Sequence, residues 1–175
     1  MTTSQNTSLE TLQGWFAGRI PDGWFTGPVD VSADRDEIQV VGALAEPELP
    51  EGATDQTREA ALAARIAGHR EDTRSQRMRI ADEAQHLFGR TVSWGATCGD
   101  QRTLFTTLSV PAMTRLRLPE RRVLDTLVDS GVARSRSHAL AWCVRLVAER
   151  QDEWLADLRE ALTQVEQVRG QGPKD

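Results

Sequence analysis

Between Met113 and Leu118 the chain reads M-T-R-L-R-L, and this short run limits what can surround it. In an extended strand, side chains alternate between faces. Thr114, Leu116 and Leu118 therefore share one face, and Met113, Arg115 and Arg117 share the other. A lone strand of this kind cannot bury its leucines; it needs a second strand beside it and a helical floor beneath. The floor follows at once. Pro119 suits the first turn of a helix, where its missing N–H goes unused, and Val123, Leu124, Leu127 and Val128 give that helix an apolar face. Ser130-Gly131 ends it, with Gly131 free to take the left-handed closing conformation. Ser135 or Ser137 caps a second helix, whose Leu140, Val144 and Val147 follow at helical spacing.

Charge sets the same region apart. The 175-residue chain is acidic overall, with a net charge of −5, which argues against a uniformly basic nucleic-acid coat. The average conceals a segment. Residues 1–110 carry 10 basic and 16 acidic side chains, residues 151–175 carry 3 and 6, but residues 111–150 carry 8 and 4. Those eight are Arg115, Arg117, Arg121, Arg122, Arg134, Arg136, Arg145 and Arg150, leaving a local charge of +4. A phosphate backbone responds to local field rather than to total charge. All but one of the basic residues are arginine, the exception being Lys174. GC-rich codon usage accounts for that bias.

The strand T-R-L-R-L-P-E, the closing Gly131 and the S-R-S triplet at 135–137 resemble the ribbon-helix-helix superfamily of DNA-binding proteins (MetJ/Arc/CopG). The resemblance covers about residues 113–149. It departs from the family at His138, where Glu is common, and in the strand's position far from the N-terminus. It implies a homodimer in which two strands pair antiparallel and four helices bury the leucine faces. Such a two-stranded ribbon fits the major groove. Met113, Arg115 and Arg117 are then the expected base contacts. Arg134, Ser135, Arg136 and Ser137, at the start of the second helix, are the expected phosphate contacts.

Past Val147 nothing stops the second helix. Leu140, Val144, Val147, Gln151, Trp154, Leu158, Ala161, Val165 and Val168 continue with steps of mostly four and three, as in a coiled-coil seam. One helix is expected over 137–169. Its second half either zips against a dimer mate or folds back on the N-terminal part. Trp142, Cys143 and Leu146 lie off the seam, and Cys143 reads as a small core residue.

The first 110 residues read as an α+β domain. Residues 1–7 look frayed, as does the tail QGPKD. Ser8 caps a helix carrying Leu9, Leu12, Trp15, Phe16 and Ile20. Trp24 and Phe25 follow in a turn as core anchors. Alternating apolar residues predict hairpins at 28–33/37–44 and 91–97/102–110. Between them a loop over 46–55 leads into a helical segment over about 55–88. Its middle, 68–77, is almost wholly polar and either crosses solvent or lines a partner or ligand. The expected order is a helix, then ββαββ with a small antiparallel sheet, then the ribbon-helix-helix segment over 111–150 and a helical extension over 151–175.

Several function classes lack support. No nucleophile elbow, phosphate loop, HExxH or paired-cysteine spacing is present, so a non-enzyme without cofactor is expected. His69, Glu71 and Asp72 sit together on a charged helix, and His86 lies further along. A metal site from His69, His86 and Cys98 would need three distant residues to converge. Two isolated cysteines, no leader pattern and no membrane-length apolar run fit a cytoplasmic chain with no membrane partner. The expected function is a dimeric transcription regulator, most simply a repressor. Residues 1–110 would serve as sensor or as the site of a protein partner or small-molecule effector. The alternative is an interaction module, antitoxin-like or an assembly factor, in which the ribbon-helix-helix segment only dimerises.

Overall fold

A computed structural model describes residues 8–170. The chain is α+β and divides into two compact units, Met1–Pro111 and Ala112–Asp175. Residues 1–7 and the QGPKD tail lie outside the described residues.

The first unit opens with α1 (Leu9–Arg19), which Ser8 caps by accepting the Thr11 N–H at 3.2 Å. Leu12 and Phe16, four residues apart on one face, are fully buried. The strands β1 (Asp30–Ala33) and β2 (Glu37–Ala43) form the expected first hairpin. Its turn is set by Asp34, whose carboxylate accepts the N–H groups of Asp36 and Glu37, each at 2.8 Å. Phe25 lies directly over Gly42, so that no side chain could stand there.

The polar stretch at 68–77 holds a break. Instead of one helix over 55–88 there are two, α2 (Asp55–Asp72) and α3 (Arg74–Phe88), meeting at Thr73. The Thr73 hydroxyl donates to the His69 carbonyl at 2.6 Å and accepts from Arg77 Nε at 2.9 Å. The His69 carbonyl also keeps its helical bond from the Thr73 N–H at 3.1 Å, and the ladder breaks at the next carbonyl, that of Arg70, which the Arg77 guanidinium takes at 2.6 Å. Both Thr73 and Arg77 are buried rather than solvated.

The strands β3 (Thr91–Cys98) and β4 (Gln101–Leu104) form the second hairpin. It is shorter than expected: β4 stops at Leu104, and Thr106, Leu108 and Val110 lie outside any strand. The sheet is also not wholly antiparallel. Its order is β1-β2-β3-β4, with β2 and β3 parallel, Ile38 opposite Val92 and Val40 opposite Trp94. Two helices in succession carry the chain back to the same end of the sheet, which is what a parallel neighbour requires. Accordingly β3 is buried almost continuously from Val92 to Ala96. One core gathers Leu12, Phe16, Ile38, Leu62, Ile80 and Trp94 from every layer of this unit.

In the second unit, α4 (Leu118–Asp129) has Pro119 in its first turn and closes at Ser130, followed by Gly131 at φ +79°. α5 (Arg136–Arg150) follows, capped by Ser135, and then α6 (Asp152–Gly170). The single helix expected over 137–169 is interrupted at Gln151, which leaves helical geometry at φ −128° and ψ 28°. The charges suit a break: Arg150 ends one helix and Asp152 begins the next, each opposite in sign to the partial charge of its helix terminus. Along the expected seam, Val144, Val147, Trp154, Leu158 and Val165 are exposed. Val168 lies outside the described side chains. Among the described side chains of this unit only Leu124, Ala133 and Ala139 are buried, with Leu116, Leu127, Val128, Leu140 and Cys143 packed around them.

Residues 112–117 form no strand in the single chain, and Leu118 belongs to α4 rather than to the run before it. The backbone at Arg117 is extended, at φ −83° and ψ 174°. A strand exists by its ladder, and this segment has no ladder partner among the described residues. In chain order, therefore, the hairpin β3–β4 is followed by a segment without regular structure, extended at Arg117, and then by α4, α5 and α6.

Candidate nucleic-acid interface

The expected two-faced alternation shows only at Leu116: Thr114 and Leu118, expected on the same inner face, are exposed as well. Met113 is 99% exposed, and Arg115 and Arg117 are exposed as well. Neither arginine takes part in any ion pair among the described residues. Leu116, from the opposite face, is half-buried against the Leu124 cluster. Its carbonyl accepts from the Arg121 guanidinium at 2.7 Å, which ties the segment to the first turn of α4.

Beside the segment runs an open groove of about 340 Å³, bounded by Met113, Thr114, Leu116 and Arg121. Leu124 of α4 and Leu140 of α5 supply its apolar floor, and Arg136 and Ser137 its far wall. Arg121 was not singled out from the sequence. Its signal was available only as a basic residue three positions after Leu118, at the spacing that returns it to the strand end.

The four expected phosphate contacts occupy the start of α5, in different states. Ser135 Oγ accepts the His138 N–H at 3.2 Å, so the hydroxyl is engaged as a cap. His138 returns the favour one residue earlier than a Glu capping box would, its Nδ1 accepting the Arg134 N–H at 3.2 Å. The Arg134 side chain is exposed and in no ion pair among the described residues. Arg136 is held by Asp125, with both guanidinium contacts short, at 2.7 and 2.8 Å. That hydrogen-bonded pairing lowers the Asp125 carboxyl below its ordinary range and raises Arg136. Ser137 faces the groove. Asp125 is a second residue that sequence reasoning missed. It stands eleven positions from Arg136 across a turn, where no periodicity links the two.

Among the described residues, no group of three His, Cys, Asp or Glu side chains could hold a metal ion. No described helix is long and apolar enough to cross a membrane.

Residues 10–104 match the family model for the Rv1265-like protein N-terminal domain, and residues 117–169 match the model for the Mb1296 C-terminal domain. The chain belongs to the Rv1265-like family. Its relatives include the proteins named "Uncharacterized protein Rv1265" of Mycobacterium tuberculosis (strain H37Rv) and "Uncharacterized protein Mb1296" of Mycobacterium bovis. Each is 55% identical over 159 residues, 91% of this chain and 69% of the relative. No solved structure matches the chain. None of these descriptions names a nucleic acid, a ligand or a reaction.

Proposed function

We propose that the protein is a homodimeric, sequence-specific DNA-binding regulator of transcription, most simply a repressor, and a non-enzyme. The observation that carries this reading is an exposed segment without a ladder partner among the described residues, beside a groove with an apolar floor. Two copies of residues 113–118, paired antiparallel, would supply each other's missing ladder and place a second strand over Leu116, Leu124 and Leu140. The outer face of that ribbon would hold two sets of Met113, Arg115 and Arg117 directed at base edges. Arg suits guanine O6 and N7, and each good bidentate pair discriminates by about 1–3 kcal/mol.

The start of α5 would clamp the backbone. The N–H groups of Arg136 and Ser137, in the first turn, have no intrahelical acceptor and suit phosphate oxygens. Arg134 adds a free charge, whereas Arg136 must first leave Asp125. The local charge of +4 over 111–150 supports the approach of a polyanion to this segment rather than to the acidic remainder.

The experiment is a binding titration of the full chain on selected and scrambled duplexes at several salt concentrations. Affinity should fall steeply with salt, with a slope of about 0.9 per phosphate neutralised. Arg115→Ala with Arg117→Ala should erase the preference for the selected duplex while leaving the dimer and the salt slope largely in place. A dimer with no affinity for any duplex at low salt would replace this reading with the interaction module. A strictly monomeric chain would remove the ribbon itself.

A further inference from the structure

The first unit carries a cleft that the DNA-binding reading does not use. It has a volume of about 420 Å³ and opens between the turn at Trp24, the end of β2 at Leu44, and one face of α2. That face presents Arg65, Gly68, His69 and Asp72. Gly68 has open space where a side chain would stand, with no atom within 4 Å of an added Cβ. The cleft is left open at this point by an exposed glycine in the middle of a helix, where glycine is otherwise unfavourable.

The chemistry of the walls is specific. Trp24 forms an aromatic side and meets the His69 ring edge-on at 5.8 Å. His69 packs also on Phe25 at 5.1 Å and on Phe105 at 6.3 Å. Burial, and then the nearby charge of Arg77, hold the imidazole below its ordinary range against the opposing pull of Asp72. It is therefore neutral near pH 7, with one nitrogen a donor and one an acceptor. Arg65 and Asp72 are unpaired among the described residues. They stand seven positions apart, about 10 Å along the helix axis, with His69 between them.

Two further observations concern the groups at and behind this wall, of which His69 alone lines the cleft. Buried polar atoms without a partner are rare and ask for an explanation. Among the described residues there are two, His69 Nε2 and Trp94 Nε1, and Trp24 touches both rings, at 5.8 and 6.4 Å. Arg77 is a buried cation that faces Phe105 at 4.7 Å and bonds only to the Thr73 hydroxyl and the Arg70 carbonyl. It has no carboxylate partner among the described residues, so the field around the cluster favours an anion.

We propose that this cleft binds a small planar aromatic monocarboxylate with a para hydroxyl, its ring on Trp24, its carboxylate toward Arg65 and its hydroxyl toward Asp72. A flat ring matches the aromatic wall. A para-substituted ring holds an anion and a hydrogen-bond donor rigidly apart, as unpaired opposite charges two helical turns apart require. An amino acid with an uncharged side chain, its ammonium and carboxylate on one carbon, cannot span them. A dianion would meet Asp72.

The test is calorimetric titration of the full chain, without DNA, with 4-hydroxybenzoate. Saturable 1:1 binding is expected below about 5 mM, with benzoate and cyclohexanecarboxylate each about tenfold weaker or worse. Gly68→Leu fills the open space from a position that suits a helix, so the fold should persist by circular dichroism while binding is lost. Arg65→Ala should weaken binding by about tenfold. Absence of saturable heat overturns the proposal. So does equal binding by Gly68→Leu, and so does equal affinity for cyclohexanecarboxylate. Because no DNA is present, none of these results bears on the ribbon.

Discussion

The two units meet the problem of burial in opposite ways. In the first, fifteen buried residues from α1, the sheet, α2 and α3 converge on one core, and edge-to-face aromatic pairs such as Phe16–Trp94 at 5.9 Å knit its layers. In the second, three buried residues support helices that leave Val123, Val144, Val147, Trp154, Leu158 and Leu162 exposed. Both contain strong helix signals and proper caps. Local preference is therefore satisfied in each, and the difference lies in tertiary closure. On the proposed reading, a second copy would complete the core that one chain leaves open here. The first unit closes its core within one chain and leaves open a cleft between Trp24 and α2.

The sharpest way to break this comparison is to strike both cores. Phe16→Ala removes a fully buried ring and should destabilise the first unit by about 3–5 kcal/mol, measured by urea unfolding followed through tryptophan fluorescence. That loss should not depend on protein concentration. Leu124→Ala should remove about 2–5 kcal/mol from the second unit, and there the loss should grow on dilution, because association stabilises only the folded state. If both losses are independent of concentration, the second unit closes alone and the contrast fails. Gly131→Ala should produce a smaller effect, about 1–2 kcal/mol, since φ at this position is +79° and a β-carbon is strained there. It should lower the stability of the α4–α5 turn without changing the dilution behaviour.

What the sequence made legible follows the range of each interaction. Ser8, Ser135, Pro119 and Gly131 were readable because caps and turns depend on neighbours a few residues away. The first hairpin was readable for the same reason. The parallel pairing of β2 with β3 was not, since alternation within two hairpins does not say which edges meet. Ser93 and Gly95, small residues on the second face of β3, were the available sign that this strand is covered on both sides. The break at Thr73 was hidden because the partners of Arg77 include Phe105, twenty-eight positions away, and a polar stretch by itself reads as solvated. In the candidate interface, Met113, Arg115 and Arg117 are exposed as alternation predicts, but so are Thr114 and Leu118, because no second strand covers their face in the single chain. The engagement of Arg136 was not readable, because it depends on how α4 and α5 pack.

That engagement offers the finest test of the second unit. The Arg136 hydrogen bonds depress the Asp125 carboxyl, so the pair contributes stability above the ordinary aspartate range, and that contribution is lost as pH falls through the lower folded value. Both groups are exposed, so the effect is confined to the acid limb and is small. Asp125→Asn should remove this part of the acid dependence while leaving the plateau near pH 7 almost unchanged, as measured by thermal melts across pH 2–7. The same substitution frees a guanidinium at the start of α5, beside Arg134. On the proposed reading it should tighten binding to any duplex and steepen the salt slope by about 0.9, while the base preference set by Arg115 and Arg117 stays the same. An unchanged slope would take Arg136 out of the phosphate contacts and leave Arg134, Ser135 and Ser137. A weakened complex would mean that Asp125 aims Arg136 at the backbone instead of withholding it.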